Sequence, residues 1–279
     1  MRLLNTHTLQ VVEFIQERPS YAILSHMWEY DEVLFQDIKD GLASLRHGYA
    51  KVTGCCHQAI KDGYEWIWID TCCIDKSSSA ELSEAINSMY SWYAESDICY
   101  VYLSDVRSVN IKGFEAVLRA TESFHITTDS LIPGIGTQLV PEACINKFID
   151  EFKRSRWYRR GWTLQELIAP RHIEFYNQDW IGLGTKTTLR KIIIEITGIN
   201  EGVLLGYTAL SDITVALKMS WAANRFTTRT EDMAYCLMGI FDINMPLLYG
   251  EGVKAFKRLQ EEIMRQYEDY TILLSNDYA

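Results

Sequence analysis

A Trp and a Glu stand four residues apart in the stretch RRGWTLQE, at Trp162 and Glu166. On an α-helix, side chains at positions i and i+4 lie on the same face, so the indole and the carboxyl group are neighbours. With Trp162 at 0° and about 100° per residue, Glu166 falls near 40°, and Leu164, Leu167 and Ile168 fall between about 140° and 240°. We expect this pair to lie away from the core stripe of the helix, either on a solvated face, in a ligand-lined crevice, or under the insertion or the C-terminal helices.

Further polar and aromatic side chains follow apolar runs that are typical of buried strands. The residues after the first run are Ser25, His26 and Trp28, and those after the second include Asp70 and Asp75. The carboxyl ends of parallel strands form the ligand crevice of an open α/β sheet. We therefore expect these five side chains to converge on one edge of the sheet and to contact a substrate there.

The order of apolar runs and helical stretches predicts a doubly wound α/β fold. The runs are YAIL (21–24), WIWI (66–69), CYVYL (99–103) and HIEFY (172–176), with helical periodicity between them. Residues 107–152 are predicted to form an insertion, whose Gly-, Pro- and Thr-rich stretch at 127–143 is typical of a mobile loop. We expect an α/β core at 1–185 and a helical part of the same domain at 186–279, and residues 270–274 can start a further strand.

The charge of the chain argues against a nucleic-acid partner. The formal net charge is −10, and the sequence pI is about 5.1, so a polyanion meets net repulsion. A local exception is KRSRWYRR at 153–160, which is either a solvated loop or a phosphate contact that includes Arg160.

The cysteine and histidine patterns predict no metal site and no disulfide framework. The seven Cys are an odd number without a C-x-x-C pair, and the six His lack metal-ligand spacing. Cys72 or Cys73 can be a nucleophile with His26, but no motif supports that pairing. The chain shows no signal-like start and no apolar run long enough to span a bilayer, so we expect a reducing, cytoplasmic location.

Five stretches of the sequence resemble one family. They are MRLLNTHTL, YAILSHMW, WIWIDTCCIDK, RGWTLQELIAP and TTRTEDMAYCLMGIFDINMPLLYGEGVKAFKRLQEEI. Together they resemble the fungal heterokaryon incompatibility (HET) domain over nearly the whole chain. The resemblance implies a cytosolic module of self/non-self recognition that triggers programmed cell death, often fused to nucleotide-binding receptor domains and repeats.

HET domains are in turn similar to TIR domains, which have a flavodoxin-like parallel sheet flanked by helices. WTLQE matches the TIR motif W-C-x-x-E in its Trp-to-Glu spacing, although Thr163 replaces the Cys. The resemblance implies that Glu166 is catalytic in an NAD glycohydrolase, with NAD as substrate and no further cofactor. Trp162 is then its neighbour, Trp28 can stack on a base, and Arg160 can contact the pyrophosphate. The long insertion and the C-terminal helical layer depart from a minimal TIR domain.

A rival interpretation is a non-enzymatic TIR-like module that self-associates and recruits death partners. Glu166 and Trp162 are then interface or structural residues, and both interpretations can hold together because TIR-like enzymes often act as assemblies. A third class is another nucleotide-processing hydrolase or transferase that uses the same crevice.

Overall fold

A seven-stranded sheet lies at the centre of the computed structural model, which describes residues 1–107, 142–269 and 271. The strand order is β2-β1-β4-β3-β5-β6-β7, in which β4, β3, β5 and β6 are parallel and the outer strands are antiparallel to their neighbours. The strands are β1 (Arg2–Asn5), β2 (Val11–Glu13), β3 (Ala22–His26), β4 (Trp66–Trp68), β5 (Ile98–Leu103), β6 (Ile173–Asn177) and β7 (Gly182–Thr185).

The four parallel strands confirm the predicted α/β fold. If these four strands are numbered 1 to 4 along the chain, their order across the sheet is 2-1-3-4, which is the flavodoxin-like arrangement. Every residue of β3 is buried, as expected for a central strand covered on both faces. The connection that leaves β3 runs toward one edge of the sheet, to β4, and the one that leaves β5 runs toward the other, to β6, so the carboxyl ends of β3 and β5 form the topological switch point.

Helices cover both faces of this sheet. Because parallel crossovers are right-handed, α2 lies on one face, and α4 and α6 pack together on the other. Ser78 begins α4 by accepting a hydrogen bond from the Glu81 backbone N–H. The α-helices are α1 (Phe35–Lys39), α2 (Tyr49–Lys61), α3 (Asp70–Cys73), α4 (Ser79–Glu95), α5 (Glu142–Arg154), α6 (Thr163–Ile168), α7 (Arg190–Thr197), α8 (Glu201–Leu204), α9 (Val215–Ala222), α10 (Asp232–Tyr235) and α11 (Lys254–Gln266).

Helix α6, which carries Glu166, is buried on every side. All six of its residues are buried, so the helix has no solvated face, and the C-terminal part covers it, which is one of the alternatives that the sequence left open. A segment of the C-terminal part covers the chain just before the helix: the Phe226 N–H donates to the Arg159 carbonyl at 2.6 Å. The Gly161 N–H donates to the Phe226 carbonyl at 2.9 Å. A Cβ at Gly161 would lie 2.5 Å from a Thr227 methyl carbon, so this close approach needs glycine.

Parts of the chain that the sequence predicted to be irregular lie mostly outside the described residues. This holds for most of the insertion at 107–152, whose last part is helix α5, and for the loop at 127–143. The suggested strand start at 270–274 also lies outside them, except for residue 271. The last strand, β7, ends at Thr185, and helical elements follow. Among the helices of the described part, none is long and apolar enough to cross a bilayer.

Candidate functional site

Glu166 lies at the carboxyl end of β3, in a chain of hydrogen bonds. Its carboxyl group accepts a short hydrogen bond from the Ser25 hydroxyl. The Trp157 indole N–H in turn donates to the Ser25 oxygen at 2.8 Å. Because an indole nitrogen only donates, the Ser25 proton is directed at Glu166. The carboxyl group is therefore held by a serine that a tryptophan orients.

The surroundings of Glu166 favour its neutral form more than water does. Only 7% of the residue is exposed, and this burial raises its pKa to about 7. The Ser25 hydrogen bond works against the shift, whereas the negative charge of Asp70 adds to it. Near neutral pH, both protonation states of this carboxyl group are therefore populated.

Asp70, at the start of α3, is the acceptor of a second group of side chains. The His26 Nε2 lies 3.0 Å from one of its oxygens, and the Trp28 indole N–H donates to the other at 2.8 Å. Burial raises the Asp70 pKa, but Lys76 and the His26 hydrogen bond outweigh that effect and hold the pKa well below its usual range. Asp70 is thus a permanent carboxylate.

The ionised Asp70 also fixes the tautomer of His26. A carboxylate only accepts, so the proton of the neutral ring lies on Nε2, and Nδ1 carries a lone pair. Nδ1 is buried and has no hydrogen-bond partner among the described residues. Burial and the nearby Lys51 lower the His26 pKa, so the ring stays neutral.

Two cations lie against the Trp28 ring. The Lys76 ammonium nitrogen is 3.4 Å from the ring centroid, and the Arg160 guanidinium carbon is 5.3 Å away. The indole is partly open to solvent, with Trp28 42% exposed. Burial lowers the Lys76 pKa, and the charge of Asp70 opposes that shift. This side of the site is rich in cation–π contacts.

The two groups occupy opposite faces of β3 rather than one continuous crevice. Ser25 and His26 are consecutive strand residues, so their side chains alternate between the faces. Ser25 points to Glu166 on α6, whereas His26 lies on the side of Lys51 in α2. In place of one predicted edge there are therefore two half-sites that meet where the strands end. One contains Ser25 and Glu166, and the other contains His26, Trp28 and Asp70.

Two of the predicted residues have other partners. The Asp75 carboxylate accepts from the Ser77 N–H at 3.0 Å and from its hydroxyl at 2.5 Å, so the structure does not bring it to Asp70 or Glu166. Trp162 is half-buried at the N-terminus of α6 and hydrogen-bonds with Asp232. The structure thus places the Trp162 indole with the C-terminal part of the chain.

The cysteine alternative finds no support in the geometry. Cys72 and Cys73 are both buried, and burial raises the pKa of Cys73 to about 12 and that of Cys72 well above its usual value. A thiol that stays protonated is a poor nucleophile. Within residues 1–107, 142–269 and 271, no three His, Cys, Asp or Glu side chains are grouped as metal ligands.

Several functional side chains escaped the sequence analysis. Trp157 and Lys76 lie inside stretches that attracted notice for other reasons, and their signal is position: one precedes α6, and the other follows the strand that delivers Asp70. Arg225 is also buried and donates to the Arg160 carbonyl at 3.0 Å and to the Thr163 hydroxyl at 2.9 Å. No local pattern marks an arginine that holds a helix some 60 residues away.

Two cavities lie away from these half-sites. One of about 420 Å³ lies between α4 and the C-terminal part, next to Tyr90, Lys218 and Tyr267. The other, of about 360 Å³, lies at the amino ends of β5 and β6, next to Ile98 and Ile173. Glu166 lines neither cavity.

Comparison with known proteins identifies the family. The sequence model of the heterokaryon incompatibility (HET) proteins matches residues 21–166, slightly more than half of the chain. Vegetative incompatibility protein HET-E-1 of Podospora anserina is 43% identical over 248 residues, which cover 88% of this chain and 16% of that protein. The chain thus spans about one sixth of that relative's length, and no solved structure matches the chain. This chain belongs to the heterokaryon incompatibility (HET) family.

Proposed function

We propose that this chain is a cell-death effector domain of fungal self/non-self recognition and that it hydrolyses NAD at the nicotinamide–ribose bond. Membership of the HET family and the similarity to a vegetative incompatibility protein support the biological role. The proposed reaction rests on the site, and the resemblance of WTLQE to the TIR motif supports its assignment to Glu166.

One observation carries the enzymatic proposal: a buried glutamate with a pKa of about 7 lies at the carboxyl edge of a parallel sheet. Strongly perturbed carboxyl groups are concentrated at functional sites. The carboxyl edge, at the switch point of the strand order, is where ligands bind in doubly wound folds. Position and protonation behaviour therefore support the same residue.

The reaction assigns Glu166 a defined task. The bond between the nicotinamide nitrogen and the ribose C1′ breaks, its electron pair leaves with neutral nicotinamide, and positive charge develops on the ribose. The ionised Glu166 stabilises that charge. Water then adds to C1′ and releases a proton, which a carboxylate with a pKa near neutrality can accept. The products are ADP-ribose, nicotinamide and a proton.

The rival function is non-enzymatic assembly, and the closure of the site favours it. Ser25 is fully buried, and Glu166 is 7% exposed, so the hydrogen bonds from Trp157 through Ser25 to Glu166 also join the region before α6 to β3. A structural network of this kind needs no substrate. Under this proposal the domain self-associates and recruits partners that kill the cell.

The decisive experiment measures NAD consumption and nicotinamide release by purified, concentrated protein, with its assembly state recorded by light scattering. Glu166→Gln keeps the size of the side chain and removes the charge, so turnover should fall by about 10²–10³-fold. Glu261→Gln is the matched control, because Glu261 is exposed on α11.

The two functions predict different results. Absence of turnover by assembled wild-type protein contradicts the enzymatic proposal. Full killing of cells by Glu166→Gln supports assembly alone. If Glu166→Gln loses both cell killing and NAD turnover, the result supports hydrolysis.

A further inference from the structure

The ammonium group of Lys76 is buried without a hydrogen-bond acceptor among the described residues. It lies against the Trp28 ring, with the nitrogen 3.4 Å from the centroid. A lysine ammonium has three donors, and burying them unpaired is unfavourable. The position of Lys76, six residues after Asp70, places this group beside the carboxyl edge of the sheet.

Arg160 supplies a second cation at the same ring. Its guanidinium carbon lies 5.3 Å from the Trp28 centroid, and its charge acts on both Asp70 and Glu166. No carboxylate of the described residues forms an ion pair with it within 4.0 Å. Arg160 thus links the half-site of Asp70 to that of Glu166.

Three carboxylates nearby have other partners, although one Glu32 oxygen is buried without a hydrogen-bond partner among the described residues. Asp70 accepts from His26 and Trp28. Glu32 pairs with Lys51 at 2.6 Å, and Glu29 pairs with Arg156 at 3.0 Å. Lys76 and Arg160 therefore share the ionised Asp70, and Arg160 also acts on Glu166 and Asp232, two acids whose pKa burial raises, in a chain whose overall charge is −10. This local excess of positive charge is suited to an anion.

We propose that Lys76 and Arg160 form a subsite for a pyrophosphate group, next to Glu166. Phosphate oxygens supply the acceptors that the Lys76 ammonium lacks, and a guanidinium binds them in pairs. The identification of the anion as that of a dinucleotide rests on the proposed function. Arg156, which lies in the same basic stretch, is excluded from this role by its pairing with Glu29 and Asp105.

The Trp28 indole is the cover of this subsite. It lies over the ammonium group, so a phosphate reaches Lys76 only when the ring moves. The side chain is 42% exposed, which leaves solvent on its outer side into which it can move. Anion binding should therefore change the fluorescence of Trp28.

The experiment measures binding of inorganic phosphate, inorganic pyrophosphate and ADP-ribose to the whole chain by calorimetry and tryptophan fluorescence. Lys76→Met keeps the length of the side chain and should weaken pyrophosphate and ADP-ribose binding about 10-fold or more. Lys257→Met is the matched control, because Lys257 is exposed on α11, and binding should be unchanged. In Trp28→Phe, the fluorescence change should disappear.

Circular dichroism and thermal unfolding show whether each variant folds. If Lys76→Met does not fold, Lys76→Arg is measured instead, and it should retain binding because it keeps the charge.

The outcomes separate this subsite from the proposed reaction. Binding of pyrophosphate that depends on Lys76, in protein without NAD turnover, supports the subsite and contradicts hydrolysis. NAD turnover with equal pyrophosphate and ADP-ribose affinity in the wild type and Lys76→Met overturns the subsite alone. Tighter binding of ADP-ribose than of inorganic phosphate supports a dinucleotide ligand, whereas the reverse order overturns that identification.

Discussion

Glu166 and Asp70 are two acids at the same end of the same sheet, and their environments drive their protonation in opposite directions. Glu166 accepts hydrogen bonds from the Ser25 and Tyr93 hydroxyls, but burial outweighs them and raises its pKa to about 7. Asp70 lies beside Lys76 and the His26 N–H, and its pKa falls well below the usual range. Burial acts on both, so the difference comes from the charged and N–H partners.

This contrast assigns different tasks to the two acids. A carboxyl group with a pKa near neutrality exchanges protons at working pH, as a catalytic acid or base must. A permanent carboxylate organises the groups around it, and Asp70 orients an indole and an imidazole and lies between two cations. Pairs of titratable groups with separated pKa values are typical of sites where one member reacts and the other positions.

The largest expected effect comes from neutralising Asp70. Asp70→Asn removes the charge that balances Lys76 and Arg160 and should destabilise the fold by on the order of 3 kcal/mol. Denaturant unfolding measures this change. The control is Asp75→Asn, since Asp75 follows the same strand but its carboxylate accepts, among the described residues, from the nearby Ser77, and its effect should be much smaller. An equal loss of unfolding free energy in the two variants would show that Asp70 has no special role in stability.

Neutralising Glu166 should stabilise the fold, in contrast to neutralising Asp70, and the gain should depend on pH. The unfolded pKa is about 4.5, and the folded pKa is about 7, so the folded state holds a proton that the unfolded state releases between these values. The contribution of Glu166 to wild-type stability is thus greatest below pH 4.5 and is lost as the pH rises through 7. Glu166→Gln escapes this loss, so from pH 5 to 8 its stability relative to the wild type should rise by about 2 kcal/mol.

Unfolding curves of both proteins at each pH test this difference. Glu261→Gln, on the exposed side of α11, should follow the wild type at every pH. If the free energy of unfolding of Glu166→Gln changes with pH in parallel with that of the wild type, the carboxyl group has an ordinary pKa.

The activity profile follows from the same ionisation. If ionised Glu166 stabilises the ribose cation, NAD turnover should rise about 10-fold between pH 6 and pH 8, with a midpoint near 7. Steady-state rates with saturating NAD measure it, over a range in which circular dichroism shows that the fold is intact. A profile that falls over this range would mean that the protonated form acts.

The central sheet and the flanking helices were predictable because their signals are local. Strands covered on both faces need unbroken apolar runs, and the four runs of the sequence became β3, β4, β5 and β6. The start of α4 is likewise encoded locally, because the Ser78 hydroxyl accepts from the Glu81 N–H only three residues later. The helical stretch predicted around WTLQE is also present, as α6 (Thr163–Ile168).

The detailed site was not predictable, because it depends on contacts between distant parts of the chain. The Phe226 backbone and the Arg225 side chain cover the region of α6 that the helical phase left open. The Asp75 carboxylate turns to Ser77 through a local hydrogen bond, which strand order alone does not reveal. The Ser25–Glu166 hydrogen bond joins residues 141 positions apart, and the pKa of the acid depends on it.

The Ser25–Glu166 hydrogen bond should have the smallest of these effects, and it gives the most specific test of the contrast between the two acids. The Ser25 hydroxyl stabilises the ionised form of Glu166, so Ser25→Ala should raise the Glu166 pKa by about one unit and shift the rise of turnover to higher pH. Carboxyl carbon NMR titration measures the same shift without substrate. In Ser77→Ala, which removes the hydroxyl bound to Asp75, the Glu166 titration should not move. An unchanged Glu166 pKa in Ser25→Ala would mean that the serine orients the carboxyl group without tuning its charge.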